Sequence, residues 1–123
     1  EITERISTTV SEEGFKNAFI NLSVPHTSCS LLIQENVSPD VQNDLIAFFN
    51  KIAPMNQKLY QHNIEGVDDM PAHIKTSLTQ TNLTLSIIDK KLILGKWQGI
   101  FLFEHRLIYH VRDVSIHIMG EKG

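Results

Sequence analysis

Two histidines and an acidic pair form the segment of this sequence best suited to chemistry. His62 and His73 stand eleven residues apart, and Asp68 and Asp69 lie between them. Imidazole nitrogens and carboxylates are common ligands of zinc and other divalent cations. The spacing matches neither a zinc finger nor an HExxH helix. The pattern alone is therefore compatible both with a metal site and with a solvated acidic loop.

Two polar triplets at the ends of predicted strands are further candidates. A His-Thr-Ser triplet occupies residues 26–28, and a Glu-His-Arg triplet occupies residues 104–106. Ordinary turns, one held by hydroxyl hydrogen bonds and one by surface ion pairs, are the alternatives to a functional role. Cys29 follows the first triplet, but no neighbouring residue lowers its pKa, so we interpret it as a small buried apolar residue.

Composition limits the classes of function. The chain has 123 residues and a mass of 14.0 kDa, the size of one domain. Lys and Arg number 11 against 14 acidic residues, so no basic surface for nucleic acid is expected. No apolar run approaches the ~20 residues of a membrane-spanning helix, and one cysteine allows no internal disulfide. We expect a single cytoplasmic domain, residues 1–123, without nucleic-acid or membrane partners.

Hydrophobic periodicity predicts the first helix. Ile2, Ile6 and Val10 recur at helical spacing, with Thr3 as the expected cap and Gly14 as the end.

Prolines and capping residues predict two more helices. Ser38 and Pro39 begin the second, which ends before Pro54. A polar, irregular stretch of about 16 residues follows, and such long loops are often functional. Pro71 begins the third helix, which ends near Gln80 and leaves the acidic pair just before it.

Strand-like segments fill most of the remaining chain. Alternating or short apolar runs predict strands over residues 18–24, 29–33, 83–87, 92–94, 100–103 and 110–119. Since strands and helices are segregated rather than alternating, the expected class is α+β with largely antiparallel sheets. The run at 100–103 is apolar on both faces, which in so small a chain indicates coverage by another subunit.

Six segments together carry a resemblance to a known family. In chain order they are His-Thr-Ser at 26–28, Gln-Glu-Asn at 34–36 with Pro-Asp-Val at 39–41, Tyr-Gln-His at 60–62, DDMPAHIK at 68–75, LGKWQGI at 94–100 and Glu-His-Arg at 104–106. This series resembles the YjbQ-like family, also called the secondary thiamine-phosphate synthase family, over nearly the whole chain. Lys96 stands where the family usually has threonine. Members begin with an additional strand, which we expect to be absent from this sequence.

The resemblance implies a fold, an assembly and a site. The fold is a sandwich of two largely antiparallel sheets with two or three helices, and the assembly is a homotrimer. The site lies near the subunit boundary and contains a metal or an anion. In the enzyme hypothesis the histidines hold a divalent metal, zinc or alternatively magnesium, which serves a small phosphorylated or carboxylated substrate. Weak thiamine-phosphate synthase activity is implied, with the native reaction unknown. A non-catalytic trimer that binds metal or a small ligand is the alternative.

Candidate roles follow for nine residues. The metal ligands are His26, His62 and His73; the general base is Asp69 or Glu35; the substrate-binding residues are Thr27, Gln98, Glu104 and Arg106.

Overall fold

The chain folds into three α-helices and six β-strands in the computed structural model, which describes residues 1–123. The helices are α1 (Thr3–Glu13), α2 (Pro39–Ile52) and α3 (Asp69–Leu78), and the strands are β1 (Phe15–Ser23), β2 (Cys29–Glu35), β3 (Asn82–Ile88), β4 (Lys91–Leu92), β5 (Gln98–Glu104) and β6 (Ser115–Lys122). The predicted α+β class is confirmed. No helix is both long enough and apolar enough to cross a bilayer.

The strands form two antiparallel sheets. The larger sheet has the order β4-β3-β1-β6, and the smaller is the β2–β5 ribbon. Along the ribbon, Cys29 faces Glu104 at one end and Glu35 faces Gln98 at the other. An isolated antiparallel bridge pairs Leu31 of β2 with Gln80, two residues after the end of α3, and connects the ribbon to that helix. The start of β2 is thereby held near α3.

One hydrophobic core joins α1 and both sheets. Its ten buried residues are Ile6, Val10, Ile20, Leu22, Val24, Cys29, Leu31, Leu83, Ile87 and Ile100. Gly14 ends α1 in the left-handed region at φ +70°, which glycine adopts without a Cβ penalty, so the predicted helix end is confirmed. Cys29 lies in this core, as interpreted from the sequence.

Helix α2 has the predicted bounds but buries no residue within this chain. Phe49 packs edge-on against Phe103 of β5, with ring centroids 5.7 Å apart. Ile46, Phe48 and Ile52 remain 44–55% exposed. Coverage of this apolar surface by another subunit stays a prediction.

Two helix starts differ from the sequence prediction. Helix α3 begins at Asp69 rather than Pro71, because the first four N–H groups of a helix have no intrahelical partner and proline there loses no hydrogen bond. The cap position of α1 is Ile2, not Thr3. The Thr3 hydroxyl instead accepts a hydrogen bond from the N–H of Ile100 at 2.8 Å.

The last strand begins at Ser115, five residues later than predicted. Residues 105–114 are irregular and include 110–114, the first five residues of the predicted strand. Tyr109 and Val111 are 88–89% exposed and have no partner strand. Alternation produces a strand only where another strand supplies its hydrogen bonds.

Candidate metal centre

The beginning of α3 presents two buried carboxylates. Asp68 is the N-cap residue and Asp69 is the first helical residue, where the helix dipole favours negative charge. Asp69 is only 3% exposed. His73 lies four residues further on, so both side chains occupy the same face of the helix. The Nε2 atom of His73 is 3.2 Å from Oδ2 of Asp69.

His62 completes a His–Asp cluster, defined here as His62, Asp69 and His73. Its Nε2 atom lies 2.8 Å from the same Oδ2 atom of Asp69. The potential ligand atoms of the three residues all lie within 4.8 Å of one another. The His62 side chain is 44% exposed, so its ring has room to adjust around an ion. The structure thus joins three of the residues singled out from the sequence.

The hydrogen bond of the His73 ring fixes its tautomer. Nδ1 lies 3.0 Å from the carbonyl oxygen of Thr27, and since a carbonyl only accepts, Nδ1 carries a proton. In the neutral ring Nε2 therefore presents a lone pair to the Asp69 carboxylate. Two acceptors at this distance repel unless a proton or a cation lies between them. Metal-bound histidines commonly donate their other N–H to a backbone carbonyl, so this donor set fits a divalent ion.

Arg106 clamps the acidic pair from the opposite side. Its Nε donates to Asp68 Oδ2 and its Nη1 to Asp69 Oδ1, both at 3.0 Å. A further Nη2 hydrogen bond of 3.1 Å reaches the carbonyl oxygen of Glu65. The guanidinium expected to bind substrate is thus already engaged by two carboxylates. Its contacts leave Oδ2 of Asp69 directed toward the histidines.

These contacts set the charge of both acids. Burial alone raises the pKa of the Asp68 carboxyl, but hydrogen bonds from Arg106 and from the N–H of Leu107 outweigh it and lower that pKa below its usual range. Burial likewise opposes ionisation of Asp69, while the hydrogen bond with His62 and the neighbouring His73 bring its pKa down. Both residues are carboxylates at neutral pH.

Glu104 anchors the irregular segment through Arg112 and lies outside the His–Asp cluster. Arg112 binds both of its oxygens, at 2.5 and 2.6 Å, and also donates to the Ser28 carbonyl. Burial raises the pKa of Glu104, but the Arg112 hydrogen bond overcomes this effect and lowers it. Arg112 was not singled out from the sequence, because an isolated arginine in an irregular stretch carries no local signal.

The first polar triplet contributes backbone rather than side-chain contacts to the cluster. Nε2 of His26 accepts a hydrogen bond of 2.9 Å from the N–H of Asp113, so the ring faces the irregular segment. Thr27 reaches His73 through its carbonyl oxygen, not its hydroxyl. Within this chain His26 is outside the His–Asp cluster.

Two candidates lie at the far end of the ribbon. Glu35 pairs with Gln98 at one end of the ribbon, and Cys29 pairs with Glu104 at the other. Glu35 lies six positions after Cys29 in β2, so the two ends of the ribbon lie about 20 Å apart along the strands. Glu35 accepts a hydrogen bond from the N–H of Ser38, and Gln98 accepts one from Gly95. The structure does not bring Glu35 or Gln98 to the His–Asp cluster of the same chain.

The fold and this cluster define a small α+β protein with a histidine–carboxylate centre at a helix start. The family model described as UPF0047 protein YjbQ-like matches residues 1–121. The chain belongs to this family, which confirms the resemblance found in the sequence.

Curated proteins of the same family are similar to this chain in sequence. The chain is 46% identical over 117 residues to UPF0047 protein sll1880 of Synechocystis, covering 95% of this chain and 80% of the relative. It is 40% identical over 121 residues to UPF0047 protein YjbQ of Salmonella typhimurium, covering 98% and 85%.

Solved structures share the fold. A YjbQ/UPF0047 family protein of Clostridium acetobutylicum superposes with a TM-score of 0.87 at 33% identity, over 97% of this chain and 88% of the other. The conserved hypothetical protein TT1486 of Thermus thermophilus gives 0.84 at 34% identity, over 96% and 88%.

Proposed function

We propose that the His–Asp cluster holds a divalent cation and serves a reaction on a small phosphorylated or carboxylated substrate. The observation that carries this proposal is the His73 ring, whose Nδ1–H is held by the Thr27 carbonyl while Nε2 faces Asp69. Two imidazoles and one carboxylate are a ligand set typical of catalytic zinc. Magnesium prefers oxygen ligands, so zinc fits better.

Solvent access supports an open coordination position. The side chains of His62 and His73 are 44% and 31% exposed, so a water or substrate atom can approach the ligands. A bound zinc ion supplies Lewis acidity and lowers the pKa of its water. Arg106 holds one oxygen of Asp69 and so fixes the orientation of the other. The chain thereby supplies a positioned carboxylate with two imidazoles beside it.

Glu65 distinguishes this proposal from the non-catalytic alternative. Its carboxylate lies 3.6 Å from Nε2 of His62 and is exposed. As a fourth ligand it would close the site, and closed sites with four protein ligands are structural. As a free carboxylate it would leave a position for substrate and could accept a proton from it.

Thiamine-phosphate synthase activity is proposed only as a weak side reaction. A leaving pyrophosphate needs cations that stabilise its developing charge. Arg106 is bound by Asp68 and Asp69, and Arg112 is bound by Glu104. Neither guanidinium is free for that task, which supports a different native reaction.

Metal analysis of matched variants tests the proposal. Protein purified without chelator should carry one divalent ion per chain, and His62→Ala and His73→Ala should each remove most of it. His117→Ala, on the exposed face of β6, is the control and should keep the metal. Full metal content in both cluster variants would contradict the assignment.

Cobalt substitution separates the two functional alternatives. An open position allows added phosphate to change the visible spectrum of the cobalt-loaded protein. A spectrum that ignores phosphate in the wild type but responds in Glu65→Gln would show that Glu65 closes the site, and would favour the non-catalytic protein.

A further inference from the structure

A cavity lies beside the His–Asp cluster and has Arg106 in its lining. It has a volume of about 330 Å³ and lies between α2, the β2–β5 ribbon and Lys75 of α3. This volume is at the lower end of the range typical for small-molecule sites. Its walls are partly apolar, with Leu45, Ile46, Phe49, Phe101 and Phe103 among them. None of the three residues of the His–Asp cluster lines it.

Lys75 is the distinctive polar residue of this cavity. It is only 7% exposed, and the sole hydrogen bond of its ammonium group runs from Nζ to Oδ1 of Asn50 at 2.6 Å. An ammonium group has three donors, so two remain without a protein acceptor. No carboxylate forms an ion pair with it. Burial of an unpaired charge is costly, and such groups are normally paired.

The acids that line the cavity are already used elsewhere. Glu104 is bound by Arg112. Glu1 accepts hydrogen bonds from Thr3 and from Asn36. No acid in the lining therefore pairs directly with Lys75, and Asp68, whose negative charge also acts on the ammonium, is held by Arg106.

We infer that this cavity binds a small amphipathic monocarboxylate, with its carboxylate on Lys75 and its apolar body between Phe49 and Phe101. One free cationic group matches a single negative charge. A phosphate dianion would need a second cation, and the other cationic side chain in the lining, Arg106, is held by Asp68 and Asp69. The site uses no ligand of the proposed metal and is independent of it.

An NMR titration with a matched pair of probes tests this inference. Phenylacetate and its neutral analogue phenylacetamide are added to the full chain in the presence of a chelator, which prevents binding to any metal. Phenylacetate should shift the backbone amide signals of Phe49 and Phe101 and bind about tenfold or more tightly than the amide, as expected for a charged hydrogen bond. Equal affinities, or no saturable binding at millimolar concentrations, would overturn the inference.

Variants locate the charge that is responsible. Lys75→Met should remove the preference for the acid, while Lys51→Met, at an exposed position of α2, should keep it. Acid binding that survives Lys75→Met overturns the inference, as do shifts confined to His62 and His73. If Lys75→Met fails to fold, the comparison of acid and amide on the wild type still decides. Chelator-resistant binding can also succeed where the metal proposal fails, so the two outcomes are separable.

Discussion

Acidification should destabilise this protein through the buried imidazole of His105. The residue is 6% exposed, and its ring packs against Phe103 at a centroid distance of 4.3 Å. Nε2 is 2.9 Å from the Ser30 hydroxyl, while Nδ1 has no hydrogen-bond partner. Burial, together with the charge of Lys75, lowers the pKa of His105 from 6.5 to about 4.

The size and sign of the effect follow from proton linkage. In the unfolded chain the ring takes up a proton near pH 6.5, whereas in the folded protein it does so near pH 4. Between these values the unfolded state binds more protons, so the free energy of unfolding falls as the pH falls. A difference of about 2.5 pH units at about 1.36 kcal/mol each gives a loss of about 3 kcal/mol from this group.

Urea denaturation at a series of pH values measures this loss. His105→Gln keeps a hydrogen-bonding group near Ser30 but cannot titrate, so its unfolding free energy should depend on pH by about 3 kcal/mol less than the wild type between pH 7 and pH 4. Chelator and a fixed protein concentration exclude metal and assembly effects. His117→Gln, exposed on β6, is the control and should behave as the wild type. The reasoning fails if His105→Gln loses stability as steeply as the wild type.

Three further predictions concern the centre and the assembly. Arg106→Lys should lower the free energy of unfolding by about 3 kcal/mol in urea denaturation, because Asp68 and Asp69 lose a bidentate partner; an unchanged midpoint would contradict the clamp. Zinc affinity, measured by competition with a chelator dye, should weaken steadily on acidification, since protons compete for His62 and His73; a pH-independent affinity would exclude histidine ligation. Sedimentation equilibrium should give three times 14.0 kDa; a monomer mass would exclude the homotrimer.

Local patterns predicted the elements well because their signals act within a few residues. Ser38 and Pro39 placed the start of α2, and Gly14 placed the end of α1. Helix α3 begins at Asp69, two residues before the predicted start at Pro71, since proline is tolerated at any position of the first helical turn. Each of these outcomes depends on backbone hydrogen bonding that the neighbouring residues control.

Contacts between distant residues could not be predicted in this way. Arg106 meets Asp68 across 38 positions, and only the folded ribbon brings them together. Glu35 illustrates the same limit. The predicted strand ended at Ile33, two residues before Glu35, and which end of β2 faces α3 depends on the pairing of β2 with β5 and on the bridge after α3. The sequence indicates which residue types could take part in chemistry, but not which of them lie close together in the fold.

The charge count of the proposed centre yields the last prediction. Asp68 and Asp69 contribute two negative charges and Arg106 one positive charge, so the buried group has a net charge of −1. A divalent cation changes this to +1, which attracts an anionic substrate to the open position. Asp68→Asn keeps an oxygen acceptor for Arg106 and raises the loaded centre to +2.

Phosphate affinity of the cobalt-loaded protein, followed by the visible spectrum, should therefore increase about fivefold in Asp68→Asn, corresponding to about 1 kcal/mol of added attraction. Asp44→Asn removes a charge from the exposed face of α2 and should leave the affinity unchanged. Unchanged or weaker phosphate binding in Asp68→Asn, with cobalt still bound, would mean that the charge of the acidic pair does not act on the open position.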